Sequence, residues 1–130
     1  MVQARELMKQ DVVSVQTGTP VVDAAKVMRE RKIGSVFVKQ NGRIVGIVTE
    51  PDIVRKVIGA GQGGYSIYFV PVEEIMSSPV IGIDEHRPIT EAADLMEKHQ
   101  TRHLAVMKAG AIVGVLSVRD LLRPISIDEF

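Results

Sequence analysis

Two short segments place a hydroxyl side chain three residues before an aspartate. They are Thr49-Glu50-Pro51-Asp52 and Ser117-Val118-Arg119-Asp120. An ionised carboxylate accepts hydrogen bonds and donates none, so it suits a ligand that presents two neighbouring hydroxyl groups. Each segment also starts a predicted helix, whose unpaired N–H groups and positive dipole end favour phosphate oxygens. The same spacing has a second interpretation, because such a pair also forms a capping box that merely closes the start of a helix.

Basic residues accompany the second of these segments. Arg119 lies inside it, and the pair Arg102-His103 comes immediately before a predicted strand. A helix start nearby would let these side chains share an anionic group with the backbone N–H groups. An exposed Arg or His is also common on any protein surface and needs no functional explanation.

The first segment lacks the matching cations. Gly34-Ser35 stands where the second copy of the pattern has its basic pair, and Pro51 stands where it has an arginine. Arg31 and Lys32 are the nearest substitutes, although solvated charges at a helix end are the simpler interpretation of both. The basic residues make the second segment the better candidate for a phosphorylated ligand, and their absence puts a polyphosphate near the first segment in doubt.

Both segments belong to an internal repeat. Residues 76–123 align with residues 8–55 at a constant offset without a gap, and 13 of the 48 aligned pairs are identical. Repeated units cannot bury their apolar faces alone and must be recognised first. A unit this short buries only ~60% of its unfolded surface. We therefore expect the two copies to share a core.

Each copy predicts the element order β-α-β-β-α. A short β-branched strand, at 12–15 and 80–83, precedes an amphipathic helix whose apolar residues recur three and four positions apart. Thr19 is the expected cap of the first such helix, with Pro20 as its first residue. The turns Asn41-Gly42 and Ala109-Gly110 predict hairpins. The fold class is α/β (α+β), with two β-α-β-β-α repeats packed with pseudo-two-fold symmetry.

The helices that close the repeats set the predicted domain boundaries. The first should run from Thr49 through Ile58, and Pro124 should end the second. Residues 1–58 then form repeat 1 and residues 72–130 form repeat 2. The stretch between them, 59–71, contains four glycines and reads as a linker. A glycine-rich phosphate loop is the alternative, but no Gly-Lys-Ser/Thr follows.

Composition excludes several classes of function. Sixteen Lys and Arg balance sixteen Asp and Glu, so the basic stripe of a nucleic-acid-binding protein is not expected. The chain has no cysteine, its N-terminus has no long apolar segment, and no apolar run reaches the ~18 residues of a membrane span. Metal-ligand spacings and nucleophile–base pairs do not stand out. We expect a cytoplasmic, non-catalytic protein without a metal, nucleic-acid or membrane partner.

The duplicated unit resembles a tandem pair of CBS domains, the cystathionine β-synthase domain pair or Bateman module. The resemblance rests on Gly-Ile-Val-Thr-Glu-Pro-Asp at 46–52 and Gly-Val-Leu-Ser-Val-Arg-Asp at 114–120, and it covers nearly the whole chain. It implies a stand-alone regulatory module that binds AMP, ADP, ATP or S-adenosylmethionine in clefts between the repeats. It also implies a homodimer, a regulated protein partner and no catalytic cofactor. A ligand-free dimerisation or docking module is the competing hypothesis.

The resemblance also assigns roles to residues. The aspartates, Asp52 and Asp120, would bind ribose hydroxyls, and Thr49 and Ser117 would contact ribose or phosphate. Further ligand-binding candidates are Arg102, His103 and Arg119 for phosphate, Gly34 and Ser35 in the first pocket, and Val13 and Ile81 beside adenine. Core packing is the simpler interpretation of the last two. The first pocket would hold an uncharged adenosine tail, S-adenosylmethionine or nothing.

Overall fold

A computed structural model describes residues 1–57 and 68–122 of the 130-residue chain. The chain divides into two compact units: Val13–Val80 forms one, and Met1–Val12 with Ile81–Phe130 forms the other. Each unit therefore combines most of one sequence repeat with the first residues of the other repeat. We call them the β1–β3 unit and the β4–β6 unit.

The described elements follow the predicted order in both repeats. Along the chain they are α1 Ala4–Leu7, β1 Ser14–Gln16, α2 Val21–Arg31, β2 Ser35–Gln40, β3 Arg43–Thr49, α3 Glu50–Ile53, a 3-10 turn Val72–Glu74, β4 Gly82–Asp84, α4 Ile89–His99, β5 His103–Lys108, β6 Ala111–Ser117 and a 3-10 turn Asp120–Leu122.

The β1–β3 unit contains one three-stranded sheet covered by α2. Strand β1 is parallel to β2, and β2 is antiparallel to β3. The buried face of α2 recurs at helical spacing and packs on apolar side chains of β2 and β3, because that is how an amphipathic helix removes its apolar stripe from water. The core includes Val21, Ala24, Met28, Val36, Val38 and Val48.

The β4–β6 unit repeats this arrangement. Its sheet has the order β4-β5-β6 with the same parallel and antiparallel pairs, and α4 covers it. Its core includes Ala4 from the N-terminal segment together with Ile83, Ala92, Met96, Leu104, Val106 and Leu116. The predicted mixed α/β class with two β-α-β-β-α repeats is confirmed.

The two hairpin turns are confirmed as well. Asn41 and Gly42 have φ of 52° and 78°, and Ala109 and Gly110 have φ of 50° and 83°. Two consecutive residues with positive φ are the signature of a type I′ turn, whose twist matches that of the flanking strands. In this way each turn places the end of β3 or β6 beside the start of β2 or β5.

The predicted start of α2 was wrong by one residue. Pro20 has φ −62° and ψ 145°, so it is an extended N-cap, and the helix begins at Val21. The N–H of Val21 donates to Val70 O at 2.9 Å, and the N–H of Val72 donates to Thr19 O at 2.9 Å. This pairing keeps Pro20 extended, and Thr19 makes no side-chain cap. The first strands also begin two residues later than predicted, at Ser14 and Gly82.

The first residues of each repeat cross the third strand of the sheet formed by the other repeat. Ile47 and Ser77 exchange backbone hydrogen bonds of 3.1 and 2.8 Å, and Lys9 and Val115 exchange two of 2.9 Å. These are isolated bridges of the antiparallel kind. They tie the segments 3–9 and 71–77 to the same strands that lead into the two Thr/Ser-x-x-Asp segments.

The glycines of the two repeated motifs make this crossing possible. A Cβ on Gly114 would lie 2.5 Å from Met8 Sδ and 3.0 Å from Lys9 O, and a Cβ on Gly46 would collide with Met76 in the same way. Real Cβ atoms essentially never come as close as 2.5 Å, so an added Cβ would displace the Met8 side chain and press on the Lys9 carbonyl. The glycines are required for close backbone approach.

The closing helices differ from the prediction. After β3, α3 is one short turn and continues as a π-helical turn over 54–57. After β6, the described residues form only the 3-10 turn from Asp120. The predicted ends at Ile58 and Pro124, and most of the predicted linker, lie outside the described residues.

Candidate functional site

A complete capping box closes β3 in the first repeat. Asp52 Oδ2 accepts from Thr49 N at 2.9 Å and from Thr49 Oγ1 at 3.0 Å, and Asp52 N donates to Thr49 Oγ1 at 3.3 Å. Thr49 is extended, with φ −119° and ψ 164°, as an N-cap residue should be. The reciprocal bonds fix the carboxylate at the end of the strand.

The second repeat builds the same box. Asp120 Oδ2 accepts from Ser117 N at 2.8 Å and from Ser117 Oγ at 3.0 Å, and Asp120 N donates to Ser117 Oγ at 3.4 Å. Asp120 is 3% exposed, which is unusual for an aspartate. The capping interpretation of both segments is therefore geometrically correct, and any ligand role would be added to it.

The structure brings the predicted basic residues to the second box. His103 is the cross-strand partner of Ser117, and Val118 N donates to Arg102 O at 2.9 Å. Arg102 and Arg119 are exposed and take part in no ion pair within residues 1–57 and 68–122, whereas His103 is half-buried. The backbone of both exposed arginines thus adjoins the box that contains the buried Asp120 carboxylate.

The first box has the same neighbours with different chemistry. Ser35 is the cross-strand partner of Thr49, and Glu50 N donates to Gly34 O at 3.1 Å. Ser35 is buried, and Gly34 and Pro51 contribute no charge. The β1–β3 unit therefore offers a carboxylate, hydroxyl groups and backbone atoms at the position where the β4–β6 unit offers guanidinium groups.

Lys56 is a site residue that the sequence analysis missed. Its Nζ lies 3.3 Å from Asp52 Oδ1 and donates to Ile75 O at 2.9 Å. The i,i+4 spacing from Asp52 was a usable signal, because residues four apart share a helix face. Arg31 and Lys32, the substitutes that the sequence suggested, are exposed and form no ion pair in the described part of the chain.

A family model for the CBS domain matches this chain twice, at residues 4–59 and 72–127. The chain belongs to the CBS-domain family. The two matches include both capping boxes, so the resemblance inferred from residues 46–52 and 114–120 is confirmed.

Curated proteins from other organisms resemble the chain along most of its length. A 17.7 kDa protein of Acidianus ambivalens is 36% identical over 84% of this chain and 64% of its own length. The CBS domain-containing protein YhcV of Bacillus subtilis is 26% identical over 93% of this chain and 84% of its own length. This CBS pair spans less than two thirds of the first of these relatives.

Solved structures of CBS proteins share the fold. A protein with CBS domains from Burkholderia ambifaria superposes with a TM-score of 0.87 at 30% identity, covering 99% of this chain and 97% of that one. The architecture of the CBS pair is therefore established by sequence and by structure.

The predicted adenine-lining residues lie at the heads of the first strands. Val13 O accepts from Phe37 N, and Ile81 O accepts from Ala105 N, each at 2.9 Å. Both side chains are half-buried and pack against the core of their own unit. This contact agrees with the core interpretation, and the adenine role stays a prediction.

The described residues of this CBS pair show neither a metal-ligand cluster nor a membrane-spanning helix. Within them, no three His, Cys, Asp or Glu side chains group as metal ligands. Among the helices they form, none has the length and apolar character needed to cross a bilayer.

Proposed function

We propose that this CBS pair is a non-catalytic regulatory module that binds an adenosine-containing ligand. The observation that carries the proposal is the second box: Asp120 is buried, Arg119 precedes it in the chain, and Val118 N donates to Arg102 O at 2.9 Å. Both arginines are exposed and form no ion pair in the described residues. An acceptor-only carboxylate next to guanidinium groups suits a molecule that carries both hydroxyl donors and an anionic group. A nucleotide has both.

Each side chain has a defined role in this proposal. Asp120 accepts from the ribose hydroxyls, Ser117 contacts ribose or phosphate, and Arg102, His103 and Arg119 meet the phosphate. The 3-10 turn Asp120–Leu122 follows Ser117, and the proposal assigns the phosphate to these side chains.

The first repeat is assigned the weaker phosphate site. Asp52 and Thr49 take the roles of Asp120 and Ser117, while Gly34 and Ser35 replace the basic pair. Without those cations the site suits adenosine or S-adenosylmethionine better than ATP. Val13 and Ile81 are the proposed apolar neighbours of the two adenine rings.

A fold neighbour supports the class of ligand. The CBS domain pair of protein MJ0100 was solved in complex with 5′-methylthioadenosine and S-adenosyl-L-methionine, with a TM-score of 0.83 at 22% identity over 98% of both chains. At this identity the likeness is one of fold. It indicates that the fold can hold adenosine compounds, and the residues named above must specify the ligand here.

A thermal-shift scan tests the proposal. AMP, ADP, ATP and S-adenosylmethionine would each be added to purified protein, because a ligand that binds only the folded state stabilises it by about 2.7 kcal/mol at 100 times its Kd. For a chain of this size that corresponds to a rise in Tm of several degrees. We expect AMP or ATP to raise the Tm. A flat response to all four compounds would overturn the proposal.

The competing function is a ligand-free docking module, and one observation favours it. Both boxes already satisfy their Thr or Ser and Asp side chains without any ligand. In that case the aspartates act as helix caps and nothing more. The flat thermal-shift response described above is the outcome that this alternative predicts.

We also propose that the module is a homodimer that signals to a protein partner. A regulatory ligand acts only if it binds two arrangements of the module with different affinities. Larger assemblies occur among CBS proteins: a CBS-CP12 protein of bloom-forming cyanobacteria, 31% identical over 99% of this chain and 74% of that one, is hexameric. Light scattering at tens of micromolar protein should give twice the 14.2 kDa chain mass. A mass of one chain would reject the dimer.

A further inference from the structure

The two oxygens of Asp52 have different neighbours. Oδ2 is held by the backbone and hydroxyl of Thr49, whereas Oδ1 lies 3.3 Å from the ammonium of Lys56. The Asp52 side chain is 14% exposed and that of Lys56 is 45% exposed. The carboxylate edge that is not used by the capping box is therefore the edge that carries a cation.

Lys56 is itself held in place. Its Nζ donates to Ile75 O at 2.9 Å, so the side chain is anchored to the segment that crosses β3. An ammonium has three protons. One is donated to Ile75 and one faces Asp52, and the described residues leave the third without an acceptor. Since Lys56 is partly exposed, a ligand can reach that proton.

This arrangement is specific to the first repeat. The residue that corresponds to Lys56 in the second repeat is Pro124, which has no donor. Conversely, the first repeat has Gly34 and Pro51 where the second has Arg102 and Arg119. The two repeats therefore carry their additional positive charges at different sequence positions around equivalent aspartates.

We propose that Lys56 and Asp52 together form a donor–acceptor pair for a vicinal diol. Through this pair, Lys56 makes the first-repeat site recognise the ribose of its ligand rather than a phosphate group. A hydroxyl group both donates and accepts. Asp52 Oδ1 accepts the hydroxyl protons, and the ammonium donates its third proton to the 2′ hydroxyl oxygen. This inference rests on the proposed function, because it presumes that a ribose reaches Asp52.

The pair also sets the charge preference of the site. Lys56 balances the charge of Asp52, and no guanidinium of the described residues pairs with either side chain. A phosphate group attached to the ribose, away from the diol, therefore adds little binding free energy at the first-repeat site. The first site should bind adenosine and AMP with similar affinity, unlike the second site.

Calorimetry on an Asp120→Asn background isolates the first site. Lys56→Met keeps the length of the side chain and removes its charge, and Arg55→Met removes the neighbouring exposed charge as a matched control. We expect Lys56→Met to weaken adenosine and AMP equally, by about tenfold or more, as for a hydrogen bond to a charged group. Arg55→Met should change neither affinity.

A ligand without one hydroxyl separates recognition from a structural effect. 2′-Deoxyadenosine should bind the background protein about tenfold more weakly than adenosine, and Lys56→Met should weaken it no further. Equal losses for adenosine and 2′-deoxyadenosine would overturn the inference, as would a loss confined to AMP or no loss at all. If the background protein binds none of the three compounds while wild type binds AMP, the inference fails and the second site stands. If wild type also binds none, the proposed function fails with it.

Discussion

At the scale of single residues, the two repeats keep the same box and vary the charges around it. Thr49 with Asp52 and Ser117 with Asp120 make matching sets of three hydrogen bonds. The cations differ: Lys56 lies at the first box, and Arg102 with Arg119 at the second. The box is the common scaffold, and the proposed function assigns the choice of ligand to its neighbours.

The first prediction is that Asp120 contributes more than Asp52 to binding of a phosphorylated ligand. Asp120→Ala removes the carboxylate of the box that adjoins Arg102 and Arg119, the arginines proposed to bind the phosphate. A hydrogen bond to a charged group contributes about 1.5–3 kcal/mol. Affinity for AMP should therefore fall about ten- to a hundredfold, measured by calorimetry.

Asp52→Ala is the matched control for this measurement. It deletes the same capping box, so loss of the cap alone, about 1 kcal/mol of stability, affects both variants. AMP affinity should fall less in Asp52→Ala than in Asp120→Ala. For adenosine, the losses of affinity in the two variants should be closer to each other. Equal losses of AMP affinity, or a larger loss in Asp52→Ala, would show that the asymmetry has been misassigned.

The residue scale also shows how far the sequence could identify the site. The spacing predicted both boxes, and the offset of the repeat predicted that Arg102-His103 and Gly34-Ser35 occupy equivalent positions. Lys56 was missed because the repeat alignment draws attention to shared positions, and its counterpart is Pro124. A residue present in one copy alone is found by its spacing from Asp52, not by comparison of the copies.

At the scale of elements, each sheet depends on a glycine that a neighbouring segment crosses. Gly114→Ala is predicted to lower the free energy of unfolding by about 1–3 kcal/mol, because the new Cβ would meet Met8 and the carbonyl of Lys9. Chemical denaturation measures the loss. The expected change is in the denaturation midpoint, with the slope retained.

Met8→Ala provides the partner variant for a double-mutant cycle. Shortening this side chain removes its sulfur from the path of the new Cβ, so the double variant should recover part of the loss caused by Gly114→Ala. Strictly additive losses would contradict the packing explanation. A Gly114→Ala protein as stable as wild type would contradict the crossing geometry itself.

The same crossings explain which element boundaries the sequence could not predict. Thr19-Pro20 has the local pattern of a cap followed by a first helical residue, and that pattern is sound for an isolated helix. Here the hydrogen bonds from Val21 to Val70 and from Val72 to Thr19 keep Pro20 extended. A tertiary contact with a segment about 50 residues away in the chain overrides the local signal. The Asn41-Gly42 turn, in contrast, depends on local dihedral angles and was predicted correctly.

At the scale of the whole molecule, sequence repeats and compact units do not coincide. The family model matches 4–59 and 72–127, yet residues up to Val12 belong to the unit that contains the second repeat, and residues up to Val80 belong to the unit that contains the first. The sequence offset predicted the duplication. It did not reveal that the first residues of each repeat pack with the other repeat, because an alignment pairs these residues with each other and says nothing about where they pack. The proposed boundaries 1–58, 59–71 and 72–130 remain a description of the repeats.

The most direct test of the central claim is a crystal structure of the protein with AMP. We expect the ribose hydroxyls within hydrogen-bonding distance of the Asp120 carboxylate, about 2.5–3.0 Å between oxygens. The phosphate should lie against Arg102, His103 or Arg119. A nucleotide bound away from both boxes, or no bound nucleotide at an AMP concentration that saturates other adenosine-binding modules, would contradict the account.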